Sequence, residues 1–97
     1  MLHMINKSPL RSFAIEDALR IASSDDPFLL IEDGVHACRA GAKSEDVVKK
    51  ALAKHKVYAL KPDMDARAVT RVIDGIEPIG YEEFVDLAEK HQVITWT

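Results

Sequence analysis

Apolar positions recur along the chain in two alternating patterns. Short, mainly apolar runs at Leu2-His3-Met4-Ile5, Phe28-Leu29-Leu30-Ile31, Val57-Tyr58-Ala59-Leu60 and Val93-Ile94-Thr95-Trp96 predict strands. Phe28–Ile31 shows no polar alternation, the mark of a strand covered on both faces, as in a parallel sheet. Ile76 to Ile79 predicts a further short strand, weakened by Pro78. The stretches between follow the helical period. Ile15, Ala18, Leu19 and Ala22 define one apolar face, with Glu16 and Arg20 four apart on its outside. Ser23-Ser24-Asp25-Asp26-Pro27 ends that helix.

Glu32-Asp33-Gly34 predicts a polar turn and helix cap, followed by a short helix over Val35–Ala40 that Gly41 stops. Ser44 is the expected cap of a longer helix. Glu45 and Asp46 stand in its first turn and Lys49, Lys50 and Lys54 toward its end, which complements the helix dipole. Its buried stripe is Val47, Val48, Ala51 and Leu52. Asp63 is expected to cap a helix carrying Ala66, Val69, Val72 and Ile73 inward. Tyr81, Phe84, Val85 and Ala88 give a last apolar helix face.

Repeated strand–helix units with connections long enough for crossovers predict a small three-layer α/β sandwich around a mainly parallel five-stranded sheet. At 97 residues the chain holds one core, so residues 1–97 form a single domain. Ligands and partners gather at the C-terminal ends of strands in such sheets. The loops there are Asn6–Pro9, Glu32–Cys38, Lys61–Asp63 and Gly80-Tyr81.

Composition narrows the chemistry. Thirteen Lys and Arg against 16 Asp and Glu give a net charge of −3, which argues against direct nucleic-acid binding by this chain. The single cysteine, Cys38, excludes an internal disulfide, a Cys-rich zinc site and an iron–sulfur cluster built from this chain alone. No charged lead precedes a long apolar segment, and no apolar run can span a bilayer. A cytoplasmic location with no membrane contact is therefore expected, and a lone thiol suits a reducing compartment.

Cys38 is the one soft nucleophile. Near the start of a helix, beside Arg39, a thiol can have a lowered pKa. The plainer reading is a small buried hydrophobe next to Val35 and Ala37. It has no second cysteine at CxxC spacing, and His36, two residues away, points elsewhere on a helix. His3, His55 and His91 share no metal-ligand spacing, so no metal and no cofactor are expected. Asp33 as a phosphoacceptor would need acidic residues after the first strand, where Asn6 and Lys7 stand instead. Gly34 and Gly41 make no dinucleotide or Walker motif. Trp96 either packs at a sheet edge or anchors a neighbouring subunit.

Taken in order, the motifs resemble the TusB/DsrH family. His3, Asn6, Lys7, Ser8 and Pro9 are similar to its LH…KSP opening, and Glu32-Asp33-Gly34-Val35 with Ala37 to its DGV-x-A turn. Val57-Tyr58-Ala59-Leu60 with Asp63, Ala66 and Arg67 resembles VYxLxxDxxARG. Tyr81, Phe84, Val85 and Leu87 resemble the YxxFVxL helix, and Trp96 the tryptophan near the family's C-terminus. The resemblance covers essentially the whole chain. Two positions depart from it: Ala18 stands where some DsrH members carry a cysteine, and Ala68 replaces the glycine after the motif arginine. Alanine there resists positive φ.

The resemblance implies a DsrE-like fold and a place in a cytoplasmic sulfur relay. The TusB branch joins TusC- and TusD-like subunits in a heterohexamer that passes persulfide sulfur toward 2-thiolation of the tRNA wobble uridine. The DsrH branch joins DsrE and DsrF in sulfur oxidation. In both, the main sulfur-carrying cysteine belongs to the TusD/DsrE-type subunit. An accessory, non-catalytic subunit is thus the expected role. The alternatives are a DsrEFH-type subunit, a persulfide carrier through Cys38, and a homo-oligomeric small-ligand-binding domain. Motif and possible interface residues are His3, Lys7, Ser8, Asp33, Gly34, Tyr58, Asp63, Arg67, Tyr81 and Trp96.

Overall fold

A computed structural model describes residues 1–97. Five strands form one sheet: β1 (Leu2–Ile5), β2 (Phe28–Leu30), β3 (Val57–Leu60), β4 (Glu77–Ile79) and β5 (Val93–Trp96). Their order is β4-β3-β2-β1-β5 and every pairing is parallel. The chain steps outward from β1 to β4. It then crosses back to the opposite edge, where β5 pairs with β1 from Leu2↔Val93 to Ile5↔Trp96.

The helices are α1 (Ala14–Ile21), α2 (Glu45–Lys54), α3 (Lys61–Ala66) and α4 (Tyr81–Lys90), with a 3₁₀ helix over Glu32–Cys38. α1, the 3₁₀ helix, α2 and α3 cover one face, burying Ile5, Phe28, Leu30, Val57 and Ala59 against Ile15, Ala18, Val35, Val48 and Met64. The other face, with Leu2, Leu29, Ile31, Leu60 and Ile79, meets α4 through Phe84 and Leu87. The strand periods and the three layers agree with the sequence.

Several local expectations are corrected. The segment after β2 forms a 3₁₀ helix that begins at Glu32, because the chain must turn within reach of β1. Gly34 makes that approach possible. A Cβ on it would lie 2.1 Å from the Ile5 carbonyl oxygen, the same oxygen that accepts the Ile31 N–H at 3.0 Å. Ser44 precedes α2 without a side-chain capping bond; its φ and ψ are helical, so Oγ does not face the free N–H groups. On α1, Arg20 pairs with Asp17 one turn back rather than with Glu16.

Asp63 does not cap a long helix. α3 starts directly at the end of β3, with Pro62 in its first turn, and stops at Ala66. The stop is a Schellman turn. Ala68 has φ +53°, its N–H bonds the Asp65 carbonyl, and the Val69 N–H reaches back to Met64 at 2.9 Å. Val69 and Ile73 are buried as expected, but from an irregular segment that runs antiparallel to Arg39 through Val72. On α4, Phe84, Leu87 and Ala88 face inward, while Tyr81 and Val85 are exposed at 60% and 52%. The inward stripe is offset because a single helix covers this face and touches it along one line.

Candidate functional site

The polar residues gather in two places. Near the N-terminal end of the sheet, His3 is buried on β1 and tied into a fixed network. The Trp96 indole Nε1–H donates to His3 Nδ1 at 3.0 Å. An indole nitrogen only donates, so this bond places the imidazole proton on Nε2, which then donates to Asp26 Oδ2 at 2.9 Å. Asp26 also accepts from the Met1 amino group at 2.9 Å and the Ser23 N–H at 3.0 Å. Partial burial opposes ionisation of Asp26, yet the bonds from His3, the Met1 amine and Ser23 together hold its carboxyl well below the usual range. The His55 ring donates Nδ1–H to the Asp26 carbonyl at 2.8 Å and leans on Phe28, which also contacts the His3 ring.

Trp96 therefore packs inside its own subunit, across the β1–β5 edge, stacked 6.1 Å from the His3 ring. Both ring nitrogens of His3 are occupied. The residue cannot serve as a base without breaking the network, so this cluster is a clasp joining β1, β5 and the α1–β2 loop.

At the C-terminal end of the sheet, the loops after β1, β2 and β3 come together. Arg67 Nε donates to Asp33 Oδ1 at 2.9 Å, and its Nη1 reaches the Asp63 carbonyl oxygen at 3.3 Å. Asp63 Oδ2 accepts the Glu32 N–H at 2.6 Å. Glu32 has φ +50°, and the Asp63 bond holds that left-handed turn. The Arg67 hydrogen bond draws the Asp33 carboxyl below its ordinary range, with smaller contributions from the His36 and Arg11 charges and opposition from desolvation. Arg39 continues the chain of contacts, giving Nη2–H to the Arg67 carbonyl at 2.9 Å and Nε–H to His36 Nδ1 at 3.3 Å.

Of the motif residues, Asp33, Gly34, Asp63 and Arg67 thus meet in one loop cluster, and His3 and Trp96 in the other. Ser8 binds the Leu10 N–H through Oγ at 3.2 Å and lines an open cleft beside Asp33. Lys7 is exposed. Tyr58 and Tyr81 join neither group: Tyr58 is half-buried on the α4 face and Tyr81 projects from α4 itself. Asp26 and His55 escaped the sequence reading because their partners lie 23 and 29 residues away. The buried oxygens Asn6 Oδ1 and Ser44 Oγ have no partner.

Cys38 is wholly buried in the main core beside Val35 and Ala37. Burial pushes its thiol up to about 12, so almost none is thiolate near neutrality. It ends the 3₁₀ helix rather than beginning a helix, so the lowered pKa considered for a helix start does not arise. No cluster of three or more His, Cys, Asp or Glu side chains converges as a metal site would require.

The family model described as DsrH like protein matches residues 7–94. The chain is 40% identical over 92 residues to Protein TusB of Enterobacter sp. (strain 638), covering 94% of both chains. It is 42% identical over 93 residues to Protein TusB of Escherichia coli O1:K1, again covering 94% of each. Among solved structures, the ychN protein of E. coli superposes with a TM-score of 0.83 at 22% identity, over 98% of this chain and 97% of that one. The Methanobacterium thermoautotrophicum protein MTH1491 gives 0.76 at 12% identity, over 97% and 96%. At these identities the two structures speak to the fold alone.

Proposed function

Because the chain belongs to the DsrH-like family and is closely similar to TusB proteins along nearly its whole length, we propose that it works as an accessory subunit of a Tus-type sulfur relay. The relay passes persulfide sulfur toward 2-thiolation of the tRNA wobble uridine. The observation that supports the accessory role is Cys38: buried, protonated and without a base within reach, it is a packing residue. A sulfur carrier needs an exposed thiolate, which a TusD/DsrE-type partner would have to provide. The cytoplasm is the matching compartment, and no helix here is long and apolar enough to cross a membrane.

The exposed face of α4 supports assembly. Tyr81 and Val85 leave apolar area uncovered over a sheet face that only one helix protects, next to the open β5 edge where Val93 is exposed. Co-expression with TusC- and TusD-like chains tests the reading. The three are expected to co-purify at equal stoichiometry, and Val85→Glu to release this subunit while leaving it folded. A chain that elutes alone in their presence would overturn the assignment.

A further inference from the structure

The open cleft at the C-terminal end of the sheet carries a set of charged groups distinct from the Cys38 core and the α4 face. It encloses about 800 Å³ between the β1–α1 connection (Ser8–Arg11), the 3₁₀ helix and the turn entering α2. Arg11, Arg39 and Lys43 line it, and none has a carboxylate within ion-pair distance. Its one acidic wall residue, Asp33, is already committed to Arg67 at 2.9 Å. The wall is therefore positive on a chain whose net charge is −3. Arg39 is also held in place: Nε and Nη2 are anchored on His36 and Arg67, which leaves its remaining N–H groups for an incoming acceptor.

Leu10 lines the cleft at 81% exposure. A large apolar side chain left in water beside unpaired cations fits a macromolecular ligand that brings both carboxylates and an apolar anchor. No Phe, Tyr or Trp side chain lines the cleft itself, so it lacks the large aromatic faces on which successive bases stack.

We propose that this cleft docks an acidic segment of a protein partner, its carboxylates on Arg39, Arg11 and Lys43 and an apolar side chain against Leu10. The site lies away from the α4 face, so it would serve a second, separable contact. Fluorescence anisotropy of a labelled peptide of alternating glutamate and leucine, added to the full chain, tests this. Its isostere of alternating glutamine and leucine and a single-stranded RNA oligonucleotide are the comparison probes.

The acidic peptide is expected to bind and the glutamine peptide to bind at least tenfold more weakly. Affinity should fall with added salt. The double variant Arg11→Gln/Lys43→Gln, which alters two exposed and unpaired side chains, should lose about tenfold while its thermal midpoint stays put. Leu10→Ser should weaken the acidic peptide too. Equal binding of the two peptides, no binding of either, indifference to the double variant, or preference for the RNA would each overturn the proposal.

Discussion

Gly34→Ala separates a structural motif residue from a partner contact. The added Cβ would sit 2.1 Å from the Ile5 carbonyl oxygen and 2.8 Å from its carbon, both backbone atoms at the end of β1. Neither can swing aside, so the 3₁₀ helix must lift from the sheet. Overpacking of this kind costs about 1–3 kcal/mol. The Ile31-to-Ile5 hydrogen bond, which shares that oxygen at 3.0 Å, accounts for about 1 kcal/mol more. Alanine's smaller unfolded-state entropy returns about 0.4–1 kcal/mol. The net loss is about 1–3.5 kcal/mol, a fall of roughly 5 °C or more in Tm for a domain this size. Urea unfolding of the isolated chain measures it directly, with the midpoint shifted and the slope kept. A variant within about 0.5 kcal/mol of the parent would refute the close-approach reasoning and return Gly34 to the list of interface residues.

Other outcomes follow from single features. Asp26→Asn should cost about 1.5–3 kcal/mol, the scale of hydrogen bonds to a charged group. Because the folded Asp26 carboxyl is held below its unfolded value of 3.8, its stabilisation is complete above that pH and fades as pH falls further. The parent should therefore lose stability on acidification below about 3.8 more steeply than Asp26→Asn, as read by thermal melts. Ala68→Gly should raise stability by up to about 1 kcal/mol by relieving the φ of +53° in the Schellman turn; a loss in urea unfolding would contradict that geometry. Cys38 should resist thiol reagents in the native state and react on unfolding. Its raised pKa also means stability is lost as pH rises from about 9, where the unfolded thiol ionises, toward about 12, a component absent in Cys38→Ala.

The hydrophobic periods were enough to read the sheet, its parallel character and the helix count, since each rests on local alternation. Phe28-Leu29-Leu30-Ile31 could only be a strand covered on both sides, and all four residues are buried. What the pattern could not carry was distance along the chain. Asp63 looked like a cap for its own helix, whereas its carboxylate serves the Glu32 N–H, 31 residues earlier. Trp96 is ambiguous in the sequence because the His3 ring that takes its indole N–H lies 93 residues away. The end of α3 is hidden in the sequence because Val69 and Ile73 keep helical spacing while lying beyond a left-handed residue. The family motif glycine marks that turn, and this chain holds it with Ala68. The cations of the cleft were invisible because only the folded loops bring Arg11, Arg39 and Lys43 to one wall.

The proposed accessory role rests on the burial of the Cys38 thiol. The direct test is the intact mass of each subunit in a reconstituted relay supplied by a persulfide donor, run with the parent and with Cys38→Ala. Alanine is chosen because a serine hydroxyl in this apolar site would add a desolvation cost of its own. The account predicts sulfur on a partner subunit, none on this chain, and unchanged transfer in the variant. An added sulfur atom on Cys38, with transfer lost in Cys38→Ala, would contradict it.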